Sequence, residues 1–340
     1  ERRGRSNTMP PVLRHAPSTG APACALTKWP SAASALLWHA CTPPADSSLD
    51  AQLALIRPKL SRDESYKVGK LSRSTLHLLF DELRYASGNA SLEASWGVLS
   101  CALRYAYGQR REDLFLLPLL LNALRSEPTG RAQTFVELGA LDGMSMSNTY
   151  MLERCFSWNG LLVEANPANY AKLAASPRNV TKRHAAVCAG DGSTGATVRM
   201  SIAGHNYAAM ADLVDTKRKR HVGDGVVGVG CRSLTQLMRE AGLHHGATFL
   251  SLDVEGAEAL VLENVDPSRF SVVMAEASPQ HQESNARVEQ LLRRGGLHVL
   301  GRLMDSVVWG REQHAWRHFA RGFPSRSLEL YKTPTQRGNS

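Results

Sequence analysis

The sequence lacks any apolar run long enough to cross a bilayer, which needs roughly 18 or more residues. Its best stretch, LFLLPLLLNAL at 114–124, is shorter and contains Pro118. A membrane-spanning helix is excluded there, and a soluble main domain is expected. Cysteine is also sparse. The six residues at 24, 41, 101, 155, 188 and 231 form no CxxC pair and show no metal-ligand spacing, which excludes a zinc ribbon or a dithiol redox motif. Cys155, Cys188 and Cys231 fall in predicted core elements, so buried free thiols and a reducing, cytoplasmic setting are expected. Organelle or secretory targeting through the N-terminal extension is left open. The two glycosylation sequons, at Asn89 and Asn179, do not argue for secretion, since the second opens a predicted buried strand. Aromatic residues make up only 6%, and none interleaves with the basic run DTKRKRH at 215–221. A stacking platform for single-stranded nucleic acid is therefore excluded. The net charge of +9 is dispersed, with Arg2, Arg3, Arg5, Arg14 and Lys28 facing one acid, Glu1, in residues 1–45. No nucleic-acid partner is expected, and the basic run with its glycine-rich neighbour GDGVVGVG reads as a solvated loop.

What is present begins after an extension. Residues 1–66 are rich in Ala, Ser, Pro and Arg, a composition shared by transit segments and disordered extensions. Residues 67–130 repeat apolar positions at helical spacing, for example Trp96, Leu99 and Leu103, and predict a helical lead-in. From 131 to about 325 short apolar runs alternate with amphipathic segments, and 326–340 form a basic tail. Predicted strands are TFVEL (134–138), GLLVE (160–164), NVTKRHAAVCA (179–189), ATFLSL (247–252) and SVVMAE (271–276), with HVLGR and DSVVWG as a closing antiparallel pair. Helices are predicted over 145–156, from Pro167, over 233–242, from Gly256 and around Val288, Leu291 and Leu292. This alternation defines an α/β fold with a doubly wound, mainly parallel sheet covered on both faces.

In such a sheet ligands bind beyond the carboxyl ends of the strands. The first strand runs into ELGALDG, with Glu137 at its end and Gly139 and Gly143 in the turn. Glu164 ends the second strand, where a carboxylate can accept hydrogen bonds from ribose hydroxyls. Asp142 in the first turn would repel a pyrophosphate, so the pattern departs from the dinucleotide fingerprint GxGxxG. A ligand with ribose and no phosphate fits better. S-adenosylmethionine is such a ligand, and its cationic groups suit Glu137, Asp142 and Asp253.

The runs FVELGALDGMSMSNTYMLERCFSWNGLLVEANP and FLSLDVEGAEALVLENV together resemble the FkbM family of S-adenosylmethionine-dependent methyltransferases, over about residues 131–310. The resemblance implies a class I, Rossmann-like, seven-stranded sheet. It implies that Glu137, Gly139 and Gly143 line the methionine and ribose side of the cofactor, that Glu164 holds the ribose hydroxyls, and that His184 to Cys188 flank the adenine. It further implies O-methylation of a small molecule or sugar hydroxyl, with Asp253 and Glu255 at the reacting end.

The residues themselves agree with an oxygen nucleophile, which must lose a proton to a general base. Asp253 and Glu255 are the first candidates, two apart on an extending strand and so on one side of it. His205, Glu276 and His281 stand behind them. No NPPY-like segment follows the fourth strand, which argues against a nucleobase amine acceptor. No metal is expected, although Asp253, Glu255 and Glu276 could converge on a hard cation. Glu258 reads as scaffold in the first turn of a helix, and helix capping is the alternative for Asp253. The long segment 200–230 is expected to lie over the acceptor site as a structureless loop. Two other functions fit the same pattern: a cofactor-binding or interaction module without turnover, and a nicotinamide-dependent oxidoreductase.

Overall fold

The computed structural model describes residues 92–126, 133–188, 196–203, 207–210, 226–303 and 305–311. Expectations for the N-terminal extension, the basic loop, His205 and the C-terminal tail lie outside the described residues. Two helices lead in, α1 (Leu92–Tyr105) and α2 (Glu112–Ser126). In the first turn of α2 Asp113 is fully buried and accepts hydrogen bonds from the backbone N–H groups of Gly108 and Leu114. Burial pushes its carboxyl up to about 6.

The body then runs β1 (Thr134–Leu138), α3 (Tyr150–Phe156), β2 (Asn159–Glu164), α4 (Pro167–Ala175), β3 (Thr181–His184) and β4 (Ala186–Val187). It continues with β5 (Thr197–Ala203), β6 (Tyr207–Met210), β7 (Val226–Arg232), α5 (Leu234–Glu240), β8 (Ala247–Leu252) and α6 (Glu258–Leu262). A single 3-10 turn precedes β9 (Phe270–Glu276), and α7 (Gln282–Arg294), β10 (His298–Leu303) and β11 (Ser306–Gly310) follow. Seven strands form one sheet in the order β10-β11-β9-β8-β1-β2-β3, parallel except where β11 pairs antiparallel with β9 and β10. The chain order reverses between β1 and β8, which places the switch point there.

Successive side chains on a strand point to opposite faces, and the core divides accordingly. Phe135, Phe249, Val272 and Met274 pack beneath α1, α2 and α3. Val136, Leu250, Val273 and Ala275 pack against α5, α6 and α7. Both faces are dry, which is why these strands are continuous apolar runs.

Several expectations are corrected. The predicted strand 179–189 is two strands: β3 joins β2 in the large sheet, whereas β4 pairs with β7 in a second sheet of order β4-β7-β5-β6. Much of the segment expected to be a loop over the acceptor site is therefore sheet, seeded by Met200 and Val229. The helix expected over 145–156 begins only at Tyr150, because 145–149 is held as a loop by hydrogen bonds to Glu137. Cys155, Cys188 and Cys231 are not free thiols. Cys101 in α1 is bonded to Cys155 in α3, and Cys188 to Cys231 in β7, with Cα atoms 5.8 and 6.0 Å apart. Sequence separations of 54 and 43 residues gave no local sign of either pairing.

Candidate active site

The ends of β1, β2, β8 and β9 open into a cavity of about 300 Å³. At its floor Gly139 adopts φ +78°, and a Cβ there would collide with the carbonyl oxygen of Asp253. The backbone N–H groups of Gly139 and Ala140 both donate to the Val163 carbonyl, 3.1 Å each, which fastens the β1 turn to β2. Only glycine combines this φ with so close an approach of two chain segments.

Glu164, buried at the end of β2, accepts the N–H of Leu141 on Oε2 at 2.8 Å and of Asn166 on Oε1 at 2.7 Å. Burial raises its carboxyl to about 7, against the lowering effect of those bonds. Each oxygen keeps a further lone pair for a donor in the cavity. Glu137 also lines the cavity, but its oxygens are already engaged by Ser147 Oγ (2.8 Å), Thr149 Oγ1 (2.6 Å) and the N–H of Asn148 (2.7 Å). It organises the loop from inside.

Asp142 does not line the cavity. It closes a tight turn by accepting from the N–H groups of Met144 and Ser145 and from Ser145 Oγ. Burial raises its carboxyl, yet those bonds outweigh burial and leave it below its ordinary value. Gly143 is likewise remote from the cavity, packed against Leu173, Ser176 and Arg178. His184 is exposed, stacked on Tyr170 with ring centres 4.9 Å apart, and its Nε2 lies 3.1 Å from the Ala165 carbonyl. His281 packs on Gly256 and also stays outside the cavity lining.

Asp253 and Glu255 both reach the cavity, though not by strand alternation. Strand β8 ends at Leu252, and Glu255 sits in a turn at φ +55°, followed by Gly256 at +99°. Glu258 closes that turn by accepting the N–H groups of Val254 and Gly256 at 3.1 Å each, a scaffold role. The N-cap of α6 is Ala257, so Asp253 does not cap the helix. Asp253 is exposed, and it lines both the cavity and the slot beside it. Desolvation, then repulsion from Glu255, Glu258 and Glu112, pushes its carboxyl up to about 7, and a hydrogen bond with Glu276 opposes that rise.

Gln109 and Glu112 from the α1–α2 turn, and Asp305 from the β10–β11 turn, complete the walls. Nothing in the sequence marked them, because they come from segments outside the alternating strands. Arg178 was also missed. It does not line the cavity but is buried behind the loop 143–149, bonded to Glu153, to Ser147 Oγ at 3.2 Å and to Thr149 Oγ1 at 3.0 Å, with Glu137 at 3.9 Å. Beside the acidic cavity lies a narrow apolar slot lined by Ala165, Ala185, Ala186, Val187, Met200 and Met210, and it shares Gly139, Glu164 and Asp253 with the cavity.

Among the described residues no lysine or arginine lines either space. The donor set is the wrong sign for a pyrophosphate and the right one for a sulfonium cation beside a ribose. An apolar slot joined to a carboxylate-lined chamber thus lies at the switch point of the seven-stranded, mostly parallel sheet. Residues 137–299 match the family profile described as the methyltransferase FkbM domain. Among solved structures the chain is similar to the methyltransferase FkbM from Methylobacillus flagellatus KT, at 14% identity and a TM-score of 0.33, covering 64% of this chain and 59% of that one. The chain thus spans less than two thirds of that protein's length. It is also similar to Aeropyrum pernix fibrillarin in complex with natively bound S-adenosyl-L-methionine (15% identity, TM-score 0.30, 56% of this chain and 70% of that one). A third match is a SAH-bound methyltransferase of Podospora anserina (9% identity, TM-score 0.28, 80% and 98%). No curated protein sequence matches the chain.

Proposed function

We propose that the protein is an O-methyltransferase, moving a methyl group from S-adenosylmethionine to a hydroxyl on a small molecule or sugar. The observation that carries this reading is geometric: Asp253, Glu255 and Glu276 line one cavity with Glu164 and Gly139, and the carboxyl of Asp253 is raised to about 7. A base whose proton affinity lies near the working pH is the most effective at taking a proton from a reacting hydroxyl.

The residues present fit the cofactor. Glu164 has lone pairs left for ribose hydroxyls, Gly139 leaves the space a Cβ would fill, and the slot between Ala165, Ala185 and Met200 suits a flat apolar ring. Glu137 serves by holding the loop 147–149 in place. When bound, S-adenosylmethionine supplies an electrophilic methyl group on a cationic sulfonium. The chain's own work is to position the acceptor, exclude water and take one proton. Asp253 is the assigned base, the hydrogen-bonded pair with Glu276 holds the proton received, and Glu255 keeps the pair's proton affinity high.

The test is mass spectrometry of small molecules and glycans incubated with methyl-labelled cofactor, comparing wild type with Glu164→Ala. Label on an oxygen of an acceptor, lost in the variant, is expected. Label on nitrogen or carbon would overturn the assignment to hydroxyls, and cofactor binding with no labelled acceptor would identify a module without turnover.

A further inference from the structure

Two features lie outside the methyl-transfer site and point the same way. The first is the pairing of four cysteines. If they served only as small apolar fillers, nothing would bring them together in twos at Cα separations of 5.8 and 6.0 Å, within the narrow range that a disulfide spans. One bridge ties the lead-in helix α1 to α3 of the large sheet's cover, and the other ties the β3–β4 region to β7 of the small sheet. Such cross-links persist where thiols are oxidised, in secretory and extracellular settings.

The second is the sequon Asn179-Val180-Thr181. Asn179 is exposed, in the connection between α4 and β3. Its backbone N–H donates to Glu153 Oε1 at 2.7 Å, which fixes the main chain. Among the described residues no hydrogen bond engages its side-chain amide. Thr181 supplies the hydroxyl two positions on, and Val180 is compatible with the acceptor motif. In register Thr181 lies beside Leu161 and His184 beside Glu164, so the sequon stands at the amino edge of the sheet and the cofactor residues at the carboxyl edge. A glycan at 179 would stand clear of the cavity. It would also shield β3, the outer strand of the large sheet, which pairs there only with β2.

We propose that Asn179 is a site of N-linked glycosylation, and that the chain matures in an oxidising, glycan-processing compartment with Cys101–Cys155 and Cys188–Cys231 closed. The transfer joins the Asn179 amide nitrogen to the anomeric carbon of a lipid-diphosphate-linked oligosaccharide. The carbon–oxygen bond to the diphosphate breaks, the lipid diphosphate leaves, and the amide nitrogen gives up one proton.

The test uses the full chain isolated from the cells that make it. Peptides are mapped before and after reduction, and before and after enzymatic release of N-glycans. The expected result is two disulfide-linked peptide pairs and a 179 peptide that appears only after release, with asparagine converted to aspartate. Expressed in the same cells, Asn179→Gln and Thr181→Ala lose this glycan, Thr181→Ser keeps it, and all three retain methyl-transfer activity. Recovery of the 179 peptide unmodified, or alkylation of all four cysteines without prior reduction, overturns the proposal.

Discussion

Gly139 lies directly against the carbonyl oxygen of Asp253, so the turn after β1 and the turn after β8 meet with no room for a side chain between them. The two turns that carry the cofactor loop and the assigned base are therefore one packed unit. Gly139→Ala forces either the positive φ of residue 139 or the position of residue 253 to change. Strain of this kind costs about 1–3 kcal/mol, which is roughly 5- to 150-fold in affinity. Isothermal titration with S-adenosylmethionine should show that loss, while Gly228→Ala, with open space around its Cβ position and no positive φ, leaves cofactor affinity within about twofold.

Asp253 sets a pH dependence. As the base it acts deprotonated, and its proton affinity is raised to about 7. Methyl transfer should therefore rise with pH through about 7 and level above it. Asp253→Asn should lower kcat by about 100- to 10,000-fold, the usual contribution of general base catalysis, with the cofactor's Kd little changed. A kcat profile that stayed flat from pH 5 to 9 in the wild type would place the base elsewhere.

Glu164 makes a prediction about stability of the opposite slope. Its folded-state carboxyl is raised to about 7 from an ordinary value of 4.5. The folded chain thus holds a proton that the unfolded chain has released between those values, and stability falls as pH rises across that window. The cofactor-free protein should melt higher at pH 5 than at pH 7.5, by on the order of 2 kcal/mol from this group, or several degrees. Thermal unfolding of Glu164→Gln should show a smaller difference between the two pH values, because its amide does not titrate.

Arg178 is the keystone of the loop beneath the cavity. Its side chain is buried and serves Glu153, Ser147, Thr149 and the Gly143 carbonyl at once, with Glu137 close by. Arg178→Met should destabilise the fold by about 3–5 kcal/mol, because Glu137 and Glu153 lose a buried partner. Arg178→Lys should recover little, since an ammonium cannot present the planar fork of donors to so many acceptors. Urea unfolding measures the first effect. Cofactor titration of Arg178→Lys below its unfolding transition measures the disorder of the loop.

Much of the large sheet was legible because its strands are buried on both faces. TFVEL and ATFLSL matched β1 and β8 residue for residue, since dry strands are uninterrupted apolar runs bounded by turn residues. The second sheet was not legible. Val226–Arg232 exposes alternate residues and carries two glycines, so its pattern is that of a loop until β5 lies beside it. Site residues at strand ends, Glu137, Glu164 and Asp253, could be placed from topology alone. Asp142, Gly143 and His184 could not, because whether a turn residue faces the ligand or its own backbone depends on torsions such as the left-handed Leu141 and Met146. The disulfides and Arg178 depend on contacts between distant segments, which no local pattern encodes.

The cavity has a divided origin. Glu137, Glu164 and Asp253 fall within residues 137–299, whereas Gln109, Glu112 and Asp305 come from turns on either side of that span. On the proposed reading, exchanging the α1–α2 turn or the β10–β11 turn changes part of the acceptor wall and leaves Glu137, Glu164 and Asp253 in place.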